Sequence, residues 1–179
     1  MNIKGFATAL LVSLIGMPAL ATELGSFEDH KRLYDTIHSY GVKVLINSRE
    51  HCSSNAVDGL YDSRGRVLVI CQDNARGTRE VDWTANDYDT LRHEAHHMIQ
   101  DCAHGQLADS YLAPLFGDEQ STLEFIHDAI GESYARQLMN NSAYVGREYV
   151  HLTEMEAFAT AAVINANTIA DKMDEMCSR

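Results

Sequence analysis

The chain is 179 residues long, 45% apolar and strongly acidic, with 26 Asp and Glu against 14 Lys and Arg and a formal net charge of −12. That length suits one domain with one hydrophobic core, stable without help from a partner. The acid excess argues against nucleic acid and anionic membrane as partners, because both are polyanions.

Residues 1–21 read as a secretory signal peptide: one cation at Lys4, an apolar run from Phe6 to Met17, then Pro18 and the small-x-small stretch Ala19-Leu20-Ala21. The run is too short for a transmembrane anchor and is broken by Gly16 and Pro18. Cleavage after Ala21 is expected, leaving residues 22–179 as a single exported domain, secreted or periplasmic, with no membrane anchor. Cys52, Cys71, Cys102 and Cys177 all fall in that part, and an even count in an oxidising compartment implies two disulfides. Three pairings are open by sequence rules. The preferred set joins Cys52 to Cys71, which bracket a hairpin, and Cys102 to Cys177. A cysteine zinc site is disfavoured, since the chain has no C-x-x-C pair.

After Ser26, the residues Phe27, Leu33, Tyr34, Ile37 and Tyr40 recur at helical spacing until Gly41, which predicts a helix over 27–40. Residues 42–46 read as a strand, and 56–61 with 66–71 as a β-hairpin around the turn Asp62-Ser63-Arg64-Gly65. From residue 86 or 87 the period becomes 3.6, with Leu91, Ala95, Met98, Ile99 and Cys102 on one stripe before Gly105 stops it. Two more helices are predicted, at 119–139 through Leu123, Ile126, Ile130, Tyr134 and Leu138, and at 147–175 through Val150, Met155, Phe158, Ala162 and Ile169. A helix, then a small N-terminal sheet, then a helical C-terminal half is an α+β order.

The chemistry lies in His93-Glu94-Ala95-His96-His97 on the helix after the hairpin. Residues four apart share a helix face, so His93 and His97 can take two corners of a tetrahedral Zn2+ site and leave room for a water. Glu94 is rotated about 100° from His93, which in H-E-x-x-H enzymes aims its carboxylate at the activated water as general base. The expected activity is that of an exported zinc metallopeptidase acting on peptide or protein substrates. The rival is a non-catalytic exported metal-binding or protein-binding domain; a third reading is metal capture by His93, His96, His97 and His104. His96 alone reads first as a surface residue and second as a substrate contact.

A third zinc ligand is needed. The metzincin pattern requires Gly and His where this chain has Gln100 and Ala103, which excludes that class. A glutamate from a later helix remains, and Thr153-Glu154-Met155-Glu156-Ala157-Phe158-Ala159 resembles the E-x-E-A segment on the second metal-binding helix of gluzincin peptidases. That resemblance implies Glu154 as the ligand and a zincin-like core, with an edge strand beside the cleft and the two metal-binding helices packed together. Glu156, Glu124 and Glu132 stay open as alternatives. Gluzincins often place an aspartate four residues after the ligand to orient a histidine; this chain has Phe158 there, and Asp101 is considered for the task against an ordinary surface charge. Tyr144, Tyr149 and His151 are the candidates for an oxyanion donor. The hairpin could bind an extended peptide by strand addition.

Overall fold

In a computed structural model, the residues described are 26–52, 58–105, 107, 111–140 and 148–178. The expected signal peptide lies outside them. Helix α1 (Phe27–Ser39) starts where the Ser26 hydroxyl accepts the Asp29 N–H, with Glu28 and Asp29 in the first turn facing the positive end of the helix dipole. It buries His30, Leu33 and Ile37, and the chain then turns at Gly41, whose φ of 78° is a conformation glycine adopts without penalty.

Three short strands follow: β1 (Lys43–Ile46), β2 (Gly59–Asp62) and β3 (Val67–Ile70). β3 is central, parallel to β1 and antiparallel to β2, in the order β1-β3-β2. The hairpin is therefore as expected, although residues 53–57 lie outside the description. Gly59 is opposite Ile70 and Tyr61 opposite Leu68, so these four share one face of the sheet. Leu68 and Ile70 are fully buried there, and β2 is an edge strand.

That face is covered by α2 (Ala85–His104), which begins at a capping box between Thr84 and Asp87 and ends at Gly105. Asp87 also accepts from the Asp73 N–H, while Gln72 and Asn47 bond each other and the carbonyls of Arg79 and Val81, pinning the long connection onto the start of α2. Four helices follow, α3 (Glu119–Ile130), α4 (Glu132–Met139), α5 (Glu148–Val163) and α6 (Ala166–Cys177), and α2 is buried nearly all round because the sheet, α1 and two of these enclose it. Of these, α5 and α6 pack directly on α2, α3 packs on α5, and α6 also packs on α1.

The architecture is α+β with helices dominating the C-terminal half. Two expected helices are each divided. The 119–139 pattern breaks at Gly131, where φ 78° and ψ 150° leave helical space. The 147–175 pattern breaks after Val163, and Asn165 restarts the helix by accepting the Thr168 N–H on its side chain. Apolar spacing runs on through both breaks, so periodicity alone did not reveal them.

The core is in two parts. The larger joins Leu33 and Ile37 of α1, Leu68 and Ile70 of the sheet, Leu91, Met98 and Ile99 of α2, and Ile169 and Met173 of α6. The smaller joins Ile126, Ala135, Met155 and Ala159 of α3, α4 and α5. Disulfides link Cys52 to Cys71 and Cys102 to Cys177, the preferred pairing, and bonds of this kind fit an oxidising compartment. Among the described residues, no helix is long and apolar enough to cross a membrane.

Candidate metal centre

α2 and α5 pack directly on each other. Ala157 and Ala161 are buried on α5, and the fully buried Arg92 of α2 donates from Nε to the Ala161 carbonyl at 3.0 Å. Arg92 is itself anchored by the Asp89 carboxylate and by Nε2 of His30, 2.6 Å away, while His30 Nδ1 donates to the Ser26 carbonyl at 2.8 Å. Burial, the larger effect, and the Arg92 charge hold the pKa of His30 below its ordinary 6.5 against the pull of that carbonyl.

One residue along, His93 and His97 project from α2 toward Glu154 of α5. Their Nε2 atoms are 3.1 Å apart; His93 Nε2 is 3.4 Å from Glu154 Oε2, and His97 Nε2 is 3.4 Å from Glu154 Oε1. These three residues could hold a metal ion. Both imidazoles are nearly covered, whereas the Glu154 side chain keeps 19% of its surface accessible. In the metal-free protein, burial would raise the Glu154 carboxyl, but hydrogen bonds and charge from His93 and His97 overcome it and hold the group well below the usual carboxylate range. Burial takes His93 down, while His97, although burial opposes it, is taken up by its bonds to Glu154.

Glu94 faces the sheet side of this cluster. Burial pushes its carboxyl up to about 7, with the Glu154 charge adding to the rise and the His97 charge and the Tyr61 backbone N–H pulling the other way. Gly59 lies against it so closely that a Cβ there would come within 2.9 Å of Glu94 Cγ and Oε1. The edge strand therefore touches the candidate base through both Gly59 and the Tyr61 N–H.

The structure sorts the other sequence candidates. Glu124 is exposed and accepts from Gln120, and Glu132 is exposed and paired with Arg136, so neither approaches the two histidines. Glu156 is fully buried but turned to other partners: Gln100 Nε2 at 2.6 Å, His96 Nε2 at 3.1 Å, and the backbone N–H groups of Leu115 at 2.8 Å and Phe116 at 3.4 Å. His96 is accordingly only 3% exposed, which overturns its reading as a surface residue; α5 covers that side of α2. Asp101 is not a surface charge either, being fully buried and accepting the Tyr61 hydroxyl at 2.8 Å. His104 lies at the end of α2 against the Tyr111 ring and does not join the cluster. Tyr144 and the side chains of Tyr149 and His151 lie outside the described residues.

Sequence reasoning missed Gln100. Its Oε1 is 2.8 Å from His97 Nδ1, and its Nε2 donates to the Thr153 carbonyl at 3.0 Å as well as to Glu156. Its place three residues after His97, on the same helix face, was the available signal. His93 differs: among the described residues its buried Nδ1 has no hydrogen-bond partner, and the Phe158 ring packs on the imidazole with centroids 4.4 Å apart.

Fold and site together define an α+β protein with a buried group of two histidines and a glutamate, shared between two helices, that could hold a metal ion. By sequence, the chain belongs to the family described as Domain of unknown function (DUF8637), which matches residues 20–162 and so spans the sheet, α2 and the glutamate of α5. No curated protein and no solved structure matches the chain.

Proposed function

We propose that the protein is an exported zinc metallopeptidase of gluzincin type, with His93, His97 and Glu154 as the metal ligands and Glu94 as general base. The observation that carries the reading is the convergence of those ligand atoms from two helices at 3.1 to 3.4 Å. Zinc bonds of about 2.0–2.1 Å at tetrahedral angles put neighbouring donor atoms roughly 3.3 Å apart, and two imidazoles with one carboxylate are a donor set used in catalytic zinc sites that keep an open position. A bound zinc ion would supply Lewis acidity toward a water and a scissile carbonyl.

The chain's own residues supply the rest. Glu94 takes a proton on its carboxylate from the attacking water and delivers it to the departing amine nitrogen. The Tyr61 N–H and the close approach of Gly59 fix where that carboxylate lies. The outer edge of β2, which pairs with no strand among the described residues, offers backbone groups to an extended peptide beside Glu94. Export is supported by the two disulfides, by the leader-like residues 1–21, and by a family match that begins only at residue 20.

The test is Glu94→Gln against the wild-type chain. Stoichiometric zinc should be retained by both, while cleavage of a mixed peptide library should be lost from the variant by about two orders of magnitude or more. A zinc-loaded wild type that cleaves no member of a broad library sinks the peptidase reading and leaves a metal-binding domain.

A further inference from the structure

We infer that Gln100, held in place by the buried Glu156 carboxylate, is the positioning residue that fixes His97 with Nδ1 protonated and Nε2 free to ligate; this deepens the metal-binding reading and rests on it. The argument begins with the amide. A carboxamide has one acceptor oxygen and one donor nitrogen, and which end points where must follow from its partners. Gln100 Nε2 faces the Thr153 carbonyl at 3.0 Å and Glu156 Oε2 at 2.6 Å. A carbonyl can only accept. The Glu156 carboxylate is an acceptor too, and the Leu115 and Phe116 backbone N–H groups, which can only donate, point at its Oε1.

Turned over, the amide would press its oxygen against two acceptors at a fully buried position, with desolvation uncompensated on every side. The nitrogen therefore faces Thr153 and Glu156, and the oxygen faces His97 Nδ1 at 2.8 Å. That oxygen can only accept, so Nδ1 carries the proton. In the neutral ring the lone pair is then on Nε2, the atom 3.1 Å from His93 Nε2 and 3.4 Å from Glu154. Selecting the ligating nitrogen by a hydrogen bond at the other one is how outer groups tune metal-bound histidines. Here a carboxamide on the histidine's own helix does it.

The same chain of contacts gives His96 and Glu156 a purpose. Glu156 is the fixed acceptor that prevents the Gln100 amide from turning over, and His96 is one of the donors that fix Glu156. His93, by contrast, is oriented by packing on Phe158 without a hydrogen bond at Nδ1.

The experiment uses the whole exported chain as wild type, Gln100→Leu and Glu156→Gln, each checked for cooperative urea unfolding. Ring 1H–15N spectra of the metal-free proteins, recorded at a pH high enough to leave the His97 ring neutral, locate its proton, and zinc affinity is measured by competition with a chelator. A protected proton on His97 Nδ1 is expected in the wild type, is lost in Gln100→Leu, and exchanges faster in Glu156→Gln. Glu156→Gln changes almost no volume, but its new NH2 must oppose N–H donors at one end or the other, which loosens the hold on the Gln100 amide and weakens the acceptor at Nδ1. Zinc binding should weaken about 10–100-fold in each variant, the usual cost of removing such a partner. The inference is overturned if both variants bind zinc within about twofold of wild type, or if metal-free wild type has no protected proton on Nδ1. Should Gln100→Leu fail to fold, Glu156→Gln decides alone. A wild type that shows the Nδ1 proton but takes up no zinc removes the metal-binding reading while upholding the role of Gln100 in orienting the ring.

Discussion

Substituting Gly59 by alanine probes the contact between sheet and candidate base most directly. The added methyl would be 2.4 Å from Thr90 Cγ2 and 2.9 Å from Glu94 Cγ and Oε1. Non-bonded carbons rest about 3.5–4.0 Å apart, so strand and helix must separate by about 1 Å at this point. Thr90 cannot simply swing away, because its hydroxyl is tied to the Asn86 carbonyl at 2.9 Å. Overpacking of this size costs about 1–3 kcal/mol, to be read from urea unfolding. Activity should fall further, on the order of 100-fold, since the hairpin carrying the Tyr61 N–H is lifted from Glu94 and a displacement of about 1 Å is enough for such a loss. Adding Thr90→Ser removes Cγ2 and should restore most of the stability but little of the activity, because the clash with Glu94 remains. If Gly59→Ala alone leaves stability within about 0.5 kcal/mol and turnover unchanged, β2 does not hold the base and the reasoning fails.

Removing Cys102–Cys177, whose ends are 75 residues apart in sequence, should cost about 4 kcal/mol by loop-closure entropy, against about 3 for Cys52–Cys71 with a separation of 19. Urea midpoints of the two paired Cys→Ser variants measure this; a larger loss from the shorter loop would contradict it. Acid should destabilise the protein through His30. Its folded pKa lies below the 6.5 of the unfolded chain, so the folded state binds the proton less readily, stability is full above about pH 6.5, and it is lost as pH falls below that value. His30→Gln, which can still donate to Ser26 and accept from Arg92, should show a shallower loss between pH 7 and 5 in metal-free protein than the wild type; an unchanged slope would assign the effect elsewhere.

Much of this arrangement was legible because it is written locally. The i, i+4 spacing of His93 and His97, the Ser26 cap, the Asp62–Gly65 turn and the stripe from Leu91 to Cys102 are all short-range signals whose physics acts within one element. What escaped depends on which elements meet. His96 and Asp101 look like surface groups on α2 until α5 and β2 are laid over it, and Glu154 and Glu156 are separated only by the direction in which each side chain leaves α5. The breaks at Gly131 and Asn165 were missed for a different reason: one glycine or one asparagine changes the backbone without disturbing the apolar period.

The two parts of the core give the metal-binding group a further meaning. α2 belongs to the larger apolar cluster and α5 to the smaller, and between them runs a seam of polar groups: His93, His96, His97, Gln100, Glu154 and Glu156. An ion held in such a seam would act as a non-covalent rivet between two lobes. Chelation should then loosen α3, α4 and α5 as a unit, visible as faster amide exchange in those helices, while the lobe of α1, the sheet, α2 and α6, locked by Cys102–Cys177, stays closed.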